Sequence, residues 1–289
     1  MKPAPFDYYA PTTIDEACRL LDEAGGGATV LAGGQTLMPL LNLRMSQPFI
    51  LVDINNIGEL KGIQRSGDCI KVGPITRQCE VLGSELLAQE LPAMVRAVSH
   101  VGHYQTRNRG TVGGSISLGE PAAELPATAV ALDATLELRS VRGSRELPAR
   151  EFYIGPYMTA LEPDELLTAI RFPAWPAQHL TLFRELAQRP GDFALAGVVG
   201  ALALENGKIS RAGLAWLAMG PTPIHARSAE ELLLGKTLDE VDIEAVAEAA
   251  VGDTAPFDDI HASAEYRRTV GKRILIRALR ETLQQREAA

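Results

Sequence analysis

Thr29-Val30-Leu31-Ala32 is a short apolar run that leads directly into Gly33-Gly34-Gln35-Thr36 and then Leu37-Met38-Pro39-Leu40. An apolar, β-branched run bounded by glycines reads as a buried strand. Two adjacent glycines at its end let the backbone turn sharply and approach a ligand closely. A concave run of N–H donors of this kind is an anion nest suited to a diphosphate, with Thr36 adding a hydroxyl and Gln35 an amide. The same residues also make a plain strand-to-helix turn, and the loop alone leaves both readings open. It is neither G-x-G-x-x-G nor a P-loop, which disfavours a dinucleotide fold of the Rossmann kind.

Upstream, Thr13 and Glu16 form a T-x-x-E capping box ahead of Ala17, Leu20, Leu21 and Ala24, and Gly25-Gly26-Gly27 stop that helix. Downstream, Ile50-Leu51-Val52-Asp53-Ile54 is a second strand. Helix, strand, loop and strand predict a small α/β unit with a parallel pair. Cys69 to Val72 reads as a strand, and Pro92 as the first-turn proline of a helix carrying Met94, Val95, Ala97 and Val98.

A polar stretch from His103 to Gly110 then reaches Arg109-Gly110-Thr111-Val112-Gly113-Gly114-Ser115, which repeats the first design: a hydroxyl residue beside a Gly-Gly pair. Two such nests suit a ligand with two phosphates approached from both sides. Arg107 and Arg109 could neutralise phosphate or pair with acidic neighbours. Glu120 and Glu124 flank Pro121-Ala122-Ala123; either carboxylate could accept from a ribose diol, or simply favour a helix N-terminus.

Pro121 to Ala134 is alanine-rich and open to helix; Thr135 to Arg139 and Leu166 to Phe172 read as strands. Pro173-Ala174-Trp175-Pro176 breaks the pattern and marks a boundary. Beyond it, Asn206-Gly207 between two apolar runs signals a type I′ hairpin. Helical segments at Ala229–Leu234, Ile243–Val251 and Ala264–Gln285 close the chain, the last carrying Tyr266, Val270, Ile274, Ala278 and Leu279 at helical spacing.

Composition narrows the function classes. The 289 residues carry 28 Lys plus Arg against 36 Asp plus Glu, a formal charge of −8 that argues against a nucleic-acid or anionic-membrane role. No stretch approaches the roughly 18 apolar residues of a membrane span, and the N-terminus has no signal core. Cys18, Cys69 and Cys79 are widely spaced with no CxxC pair, so they build neither a zinc nor an iron–sulfur site; reduced, mostly buried thiols in a cytoplasmic protein are expected. His100, His103, His179, His225 and His261 show no metal spacing, and no HExxH or G-x-S-x-G occurs.

Ala32–Arg44 (AGGQTLMPLLNLR) and Thr106–Ala127 (TRNRGTVGGSISLGEPAAELPA) resemble the signature segments of the medium, FAD-binding subunit of the carbon monoxide dehydrogenase and xanthine dehydrogenase family. Arg184–Gly197 resembles the family's third conserved segment, and Asn206–Lys236 its C-terminal domain, so the likeness spans essentially the whole chain.

The resemblance implies an α+β fold: a two-subdomain FAD-binding domain of the vanillyl-alcohol-oxidase type over residues 1–175 (subdomains about 1–56 and 57–175), then a C-terminal domain of antiparallel sheet plus helices over 176–289. It implies that Leu31, Ala32, Gly33, Gly34, Gln35 and Thr36 hold the FAD diphosphate, with Thr111, Gly113, Gly114 and Ser115 clasping it from the other side. Val101 matches a position near the adenine, and Glu124, with Glu120 beside it, an acidic position on the adenosine ribose. Leu167 matches a backbone contact at the flavin or adenine end, Arg184 a cationic position near the flavin, and Phe193 a position over the isoalloxazine ring.

No catalytic side chain and no metal ligand is expected in this chain. Partners are implied: a small subunit with two [2Fe–2S] clusters and a large subunit with the molybdopterin cofactor, together a dimer of heterotrimers. The FAD subunit then passes electrons to an external acceptor. Two other readings stay open at this point: a self-contained flavin-dependent oxidase or reductase, and an assembly subunit that has lost FAD.

Overall fold

The computed structural model describes residues 2–177 and 179–287. The N-terminal unit is a three-stranded parallel sheet of β1 (Asp7–Tyr9), β2 (Ala28–Leu31) and β3 (Ile50–Asp53), in the order β1-β3-β2. The expected parallel pair is there, and β1 adds an edge strand from a segment whose sequence gave no strand pattern. The helix Ile14–Glu23 packs Ala17, Cys18 and Leu21 onto this unit with Val52 and Ile54. Its capping box is displaced by one residue: Thr13 Oγ1 accepts from the Glu16 N–H, but Glu16 accepts from the N–H of Thr12. Gly25, at φ +52°, ends the helix as expected.

The chain continues through β4 (Ile63–Ser66), β5 (Cys69–Val72), β6 (Thr135–Ser140), β7 (Gly143–Pro148), the short pair β8 (Tyr153–Gly155) and β9 (Met158–Thr159), and β10 (Leu166–Pro173). Five of these form an antiparallel sheet ordered β4-β5-β10-β6-β7. Between β5 and β6 run several short helices, including Pro92–His100, Tyr104–Arg109, Val112–Leu118 and Glu124–Ala131. The polar stretch after His103 is helical over Tyr104–Arg109.

Glu124–Ala131 is buried along its whole length. A helix apolar on every side must be covered on every side, and this one is packed between the helix Pro92–His100 and a third sheet. That sheet is β11 (Leu180–Ala187), β12 (Ala194–Glu205), β13 (Lys208–Leu217) and β14 (Ile224–His225), all antiparallel and in sequence order. Asn206 and Gly207 both have positive φ, +52° and +80°, which is the type I′ turn their sequence called for.

The third sheet's other face is covered by Arg227–Leu233, Ile243–Gly252 and Ala264–Glu287. In the last helix the buried face is Leu275, Ala278 and Leu279, whereas Tyr266, expected on the apolar stripe, is exposed. The Pro173–Pro176 break is firmly held: Trp175 is buried, Arg211 stacks 3.9 Å above its ring, and Arg211 donates to the Ala174 carbonyl. One core cluster runs across this break, joining Leu125, Ala129 and Phe172 to Phe183, Val199 and Leu217. Of the three free thiols only Cys18 is buried; Cys69 and Cys79 are half-exposed, which corrects the expectation of mostly buried cysteines.

Candidate cofactor site

The first glycine loop leaves the C-terminal end of β2. Gly34 lies at φ +70°, a conformation that favours glycine. Among the described residues, no protein acceptor is found for the backbone N–H groups of Gly33, Gly34, Gln35 or Thr36. Thr36 caps the helix Leu37–Asn42 without using its hydroxyl, and Gln35 folds back to donate to the Gly33 carbonyl. Free donors on successive residues at the end of a parallel strand are what an anionic ligand requires.

The second loop is built differently. Thr111 Oγ1 accepts from the Gly114 N–H and caps the helix Val112–Leu118, which ends at Gly119 in the left-handed region. The Val112 N–H donates to Thr76, Gly113 to Pro74 and Ser115 to Thr111. The expected second donor nest is therefore largely engaged within the chain. Its glycines serve close approach instead: a Cβ on Gly113 would overlap Pro74. Gly114 is exposed, and a Cβ on it would fall 2.7 Å from the Thr111 hydroxyl.

The two loops meet. A Cβ on Gly33 would fall 2.5 Å from the Arg109 carbonyl oxygen and 2.9 Å from Gly110 Cα. Sequence reasoning missed what joins them. Asn55 Nδ2 donates to the Ala32 carbonyl at 2.8 Å, and Arg77 donates to Asn55 Oδ1 at 2.7 Å and to the Arg109 carbonyl. Neither residue sits in a recognisable motif; only the strand end before Asn55 hints at proximity.

Behind the second loop lie buried carboxylates. Glu124 is buried without a side-chain partner among the described residues, and its carboxyl is pushed from 4.5 up to about 8 by burial, with Glu185 and Glu120 adding like charge. Glu120 accepts from the Ala122 N–H and from the Tyr157 hydroxyl, so it is committed to the fold around β8 and β9. Burial and that bond raise the Tyr157 hydroxyl to about 12.

A cavity of about 370 Å³ is lined by His100, Gly102, His103, Arg107, Glu185 and Gly191; Val101 follows His100 in the chain but does not line it. Arg107 does not reach towards the glycine loops; it donates to the carbonyls of Val101 and Gly102 and fixes that turn. The loop before Phe193 packs here too, since a Cβ on Gly191 would overlap the His103 ring. Phe193 itself is 61% exposed, an aromatic face left open beside the cavity.

Arg184 is elsewhere. Strand alternation sends Phe183 and Glu185 towards His100, whose ring lies 4.7 Å from Phe183 and 3.1 Å from a Glu185 oxygen. Arg184 points to the opposite face and pairs with Glu281 of the last helix, holding that carboxyl below its usual range. The cationic position expected near the flavin is not brought to this group; its neighbour Glu185 is. Leu167 is buried in β10 opposite Leu138, at a bulge.

The family described as the FAD binding domain in molybdopterin dehydrogenase matches residues 4–175, and the CO dehydrogenase flavoprotein C-terminal domain matches 181–282. Together these define an FAD-binding subunit of a multi-subunit molybdenum enzyme. Subunit alpha of the 6-hydroxypseudooxynicotine dehydrogenase complex of Paenarthrobacter nicotinovorans is 40% identical, over 96% of both chains. The reconstituted CO dehydrogenase from Oligotropha carboxidovorans superposes with a TM-score of 0.95 at 36% identity, over 98% of this chain and 99% of that one. Quinoline 2-oxidoreductase from Pseudomonas putida 86 gives 0.92 at 33% identity, over 99% of both. The chain belongs to the FAD-binding medium subunits of the molybdenum hydroxylase family.

Proposed function

We propose that this chain carries FAD between the iron–sulfur subunit of a molybdenum hydroxylase and an external electron acceptor. The observation that carries this reading is the first loop, which follows a parallel strand and whose N–H groups have no acceptor among the described residues. Residues Leu31 to Thr36 hold the diphosphate through backbone donors and the Thr36 hydroxyl. Gly114 and Ser115 lie against it from the second loop, with Thr111 and Gly113 shaping that loop. Val101 lies near the adenine, Leu167 makes a backbone contact at the flavin or adenine end, Glu124 faces the ribose, and Phe193 covers the ring system. Glu120 orients this region through Tyr157. Arg184 acts at a distance, as part of the sheet that carries Phe193.

When bound, FAD accepts and releases electrons singly or in pairs. The chain's own work is to bind, orient and partly enclose it. Its three cysteines are free and far apart in sequence, which supports placing the two [2Fe–2S] clusters on a small partner and the molybdopterin on a large one. A dimer of heterotrimers in the cytoplasm is the assembly proposed. Among the described residues no helix is long and apolar enough to cross a membrane.

The test is to purify the chain with its co-purifying subunits and record the visible spectrum. Flavin absorption and about one extractable FAD per chain are expected; their absence overturns the reading. Gly114→Asp sets a negative side chain on the second loop, where its Cβ also presses on the capping Thr111 hydroxyl, so only that cap has to yield. It is expected to abolish FAD retention while the circular dichroism spectrum stays that of the wild type.

A further inference from the structure

Free donors bind an anion well only if the backbone that carries them is held in place before the ligand arrives. The first loop makes few bonds of its own, so the restraint must come from its surroundings. It comes from one side-chain relay. Asn55, just after β3, donates its Nδ2 to the Ala32 carbonyl and to Asp53 Oδ1, at 2.8 and 2.6 Å. Its Oδ1 accepts from one terminal nitrogen of Arg77, at 2.7 Å. The other terminal nitrogen donates to the carbonyl of Arg109, the residue against which Gly33 packs.

Arg77 also begins the segment that templates the second loop, where Gln78 N–H donates to the Gly110 carbonyl and Arg77 bridges Thr111. Both Arg77 and Asn55 are half-buried. A guanidinium is suited to this task because its planar fork serves two acceptors at a fixed separation, which a lysine ammonium cannot reproduce.

We propose that Arg77 and Asn55 form a clamp that sets the distance between the two glycine loops, and so act as positioning residues for the FAD diphosphate. This rests on the proposed FAD reading, and the two can fail separately. A wild-type complex without flavin defeats the reading; a flavin-loaded wild type with unaffected variants defeats only the clamp.

The experiment uses the full chain in its complex. FAD release is followed by the rise in flavin fluorescence in chaotropic salt, alongside FAD content and thermal unfolding of the flavin-free protein. Arg77→Met and Asn55→Ala are each expected to speed release by about tenfold, as loss of a charge-assisted or buried hydrogen bond implies. Two outcomes separate a clamp from a nearby charge or a general loss of stability. Arg77→Lys, which keeps the charge and loses the fork, is expected to release FAD as fast as Arg77→Met. The double variant is expected to be no faster than either single one, because both break the same relay. Wild-type release in Arg77→Lys, additive effects in the double variant, or unchanged release in Asn55→Ala overturns the clamp. If Arg77→Met does not fold, Asn55→Ala and Arg77→Lys carry the decision.

Discussion

The two glycine loops read alike and are built for different tasks. Ala32-Gly33-Gly34-Gln35-Thr36 keeps its N–H groups free and its capping hydroxyl unused. Thr111-Val112-Gly113-Gly114-Ser115 gives most of its donors to Pro74, Thr76 and Thr111, and uses its glycines to pass close to neighbouring backbone. A Gly-Gly pair beside a hydroxyl residue therefore specifies close approach to the chain in both loops, through Gly33 and Gly113, and only the first loop also keeps its donors free for a ligand. What decides between them is whether a neighbouring segment offers carbonyl oxygens, and that segment, Pro74 to Gln78, is remote in sequence from both loops.

Substitutions can break this contrast directly. The largest effect is expected from Gly113→Ala. Its methyl group meets buried Pro74, so the chain should lose at least about 3 kcal/mol, as overpacking in a rigid site does, with a clear drop in melting temperature even without flavin. A Gly113→Ala protein that melts like the wild type would show that the second loop is not held against Pro74.

Glu124, buried behind the second loop, gives the next effect. Its folded-state carboxyl titrates near 8 against 4.5 when unfolded, so the folded chain holds an extra proton between those values. Stability of the flavin-free chain should therefore fall as pH rises from about 4.5 to about 8 and level off above. Glu124→Gln should match the wild type near pH 4.5 and exceed it above pH 8 by on the order of 2 kcal/mol, since relaxation and water penetration recover part of the burial penalty. Urea unfolding across that range checks the sign.

Thr111→Ala removes a helix cap and should cost about 1 kcal/mol with or without FAD, measured by denaturant unfolding. Thr36→Ala removes a hydroxyl that caps nothing. It should leave the flavin-free stability within about 0.5 kcal/mol of the wild type, while raising the FAD dissociation constant in an equilibrium titration. Equal behaviour of the two threonine variants would erase the distinction between the loops.

Much of this was legible in the sequence because the signals are local. The capped first helix, the strand into Gly33-Gly34, the Pro92 helix start and the Asn206-Gly207 hairpin each depend on residues within a few positions of one another. The strands β1 and β4 escaped because the polar N-terminus and Ile63-Gln64-Arg65-Ser66 lack a buried face of their own and take their conformation from pairing. At the site, the resemblance supplied positions but not directions. Arg184 and Glu185 differ by one residue along a strand, and alternation decides which faces the cavity. Asn55 and Arg77 were invisible for the opposite reason: their types are ordinary, and their role exists only once three distant segments have come together.

The bare backbone of β13 at Gly213 has a larger consequence. A side chain there would overlap the carbonyl of Ala131 and press on Trp175, so the C-terminal sheet lies flush on the helix that stands behind the second loop. The division at Pro173–Pro176 is thus expected to be one of chain course and not of mechanical units. Force or denaturant applied to the C-terminal helices should therefore reach the cofactor cradle, and the two halves should melt as one cooperative block. A related C-terminal half cannot be grafted on without its own copy of that glycine, because the graft and the cradle share a single seam.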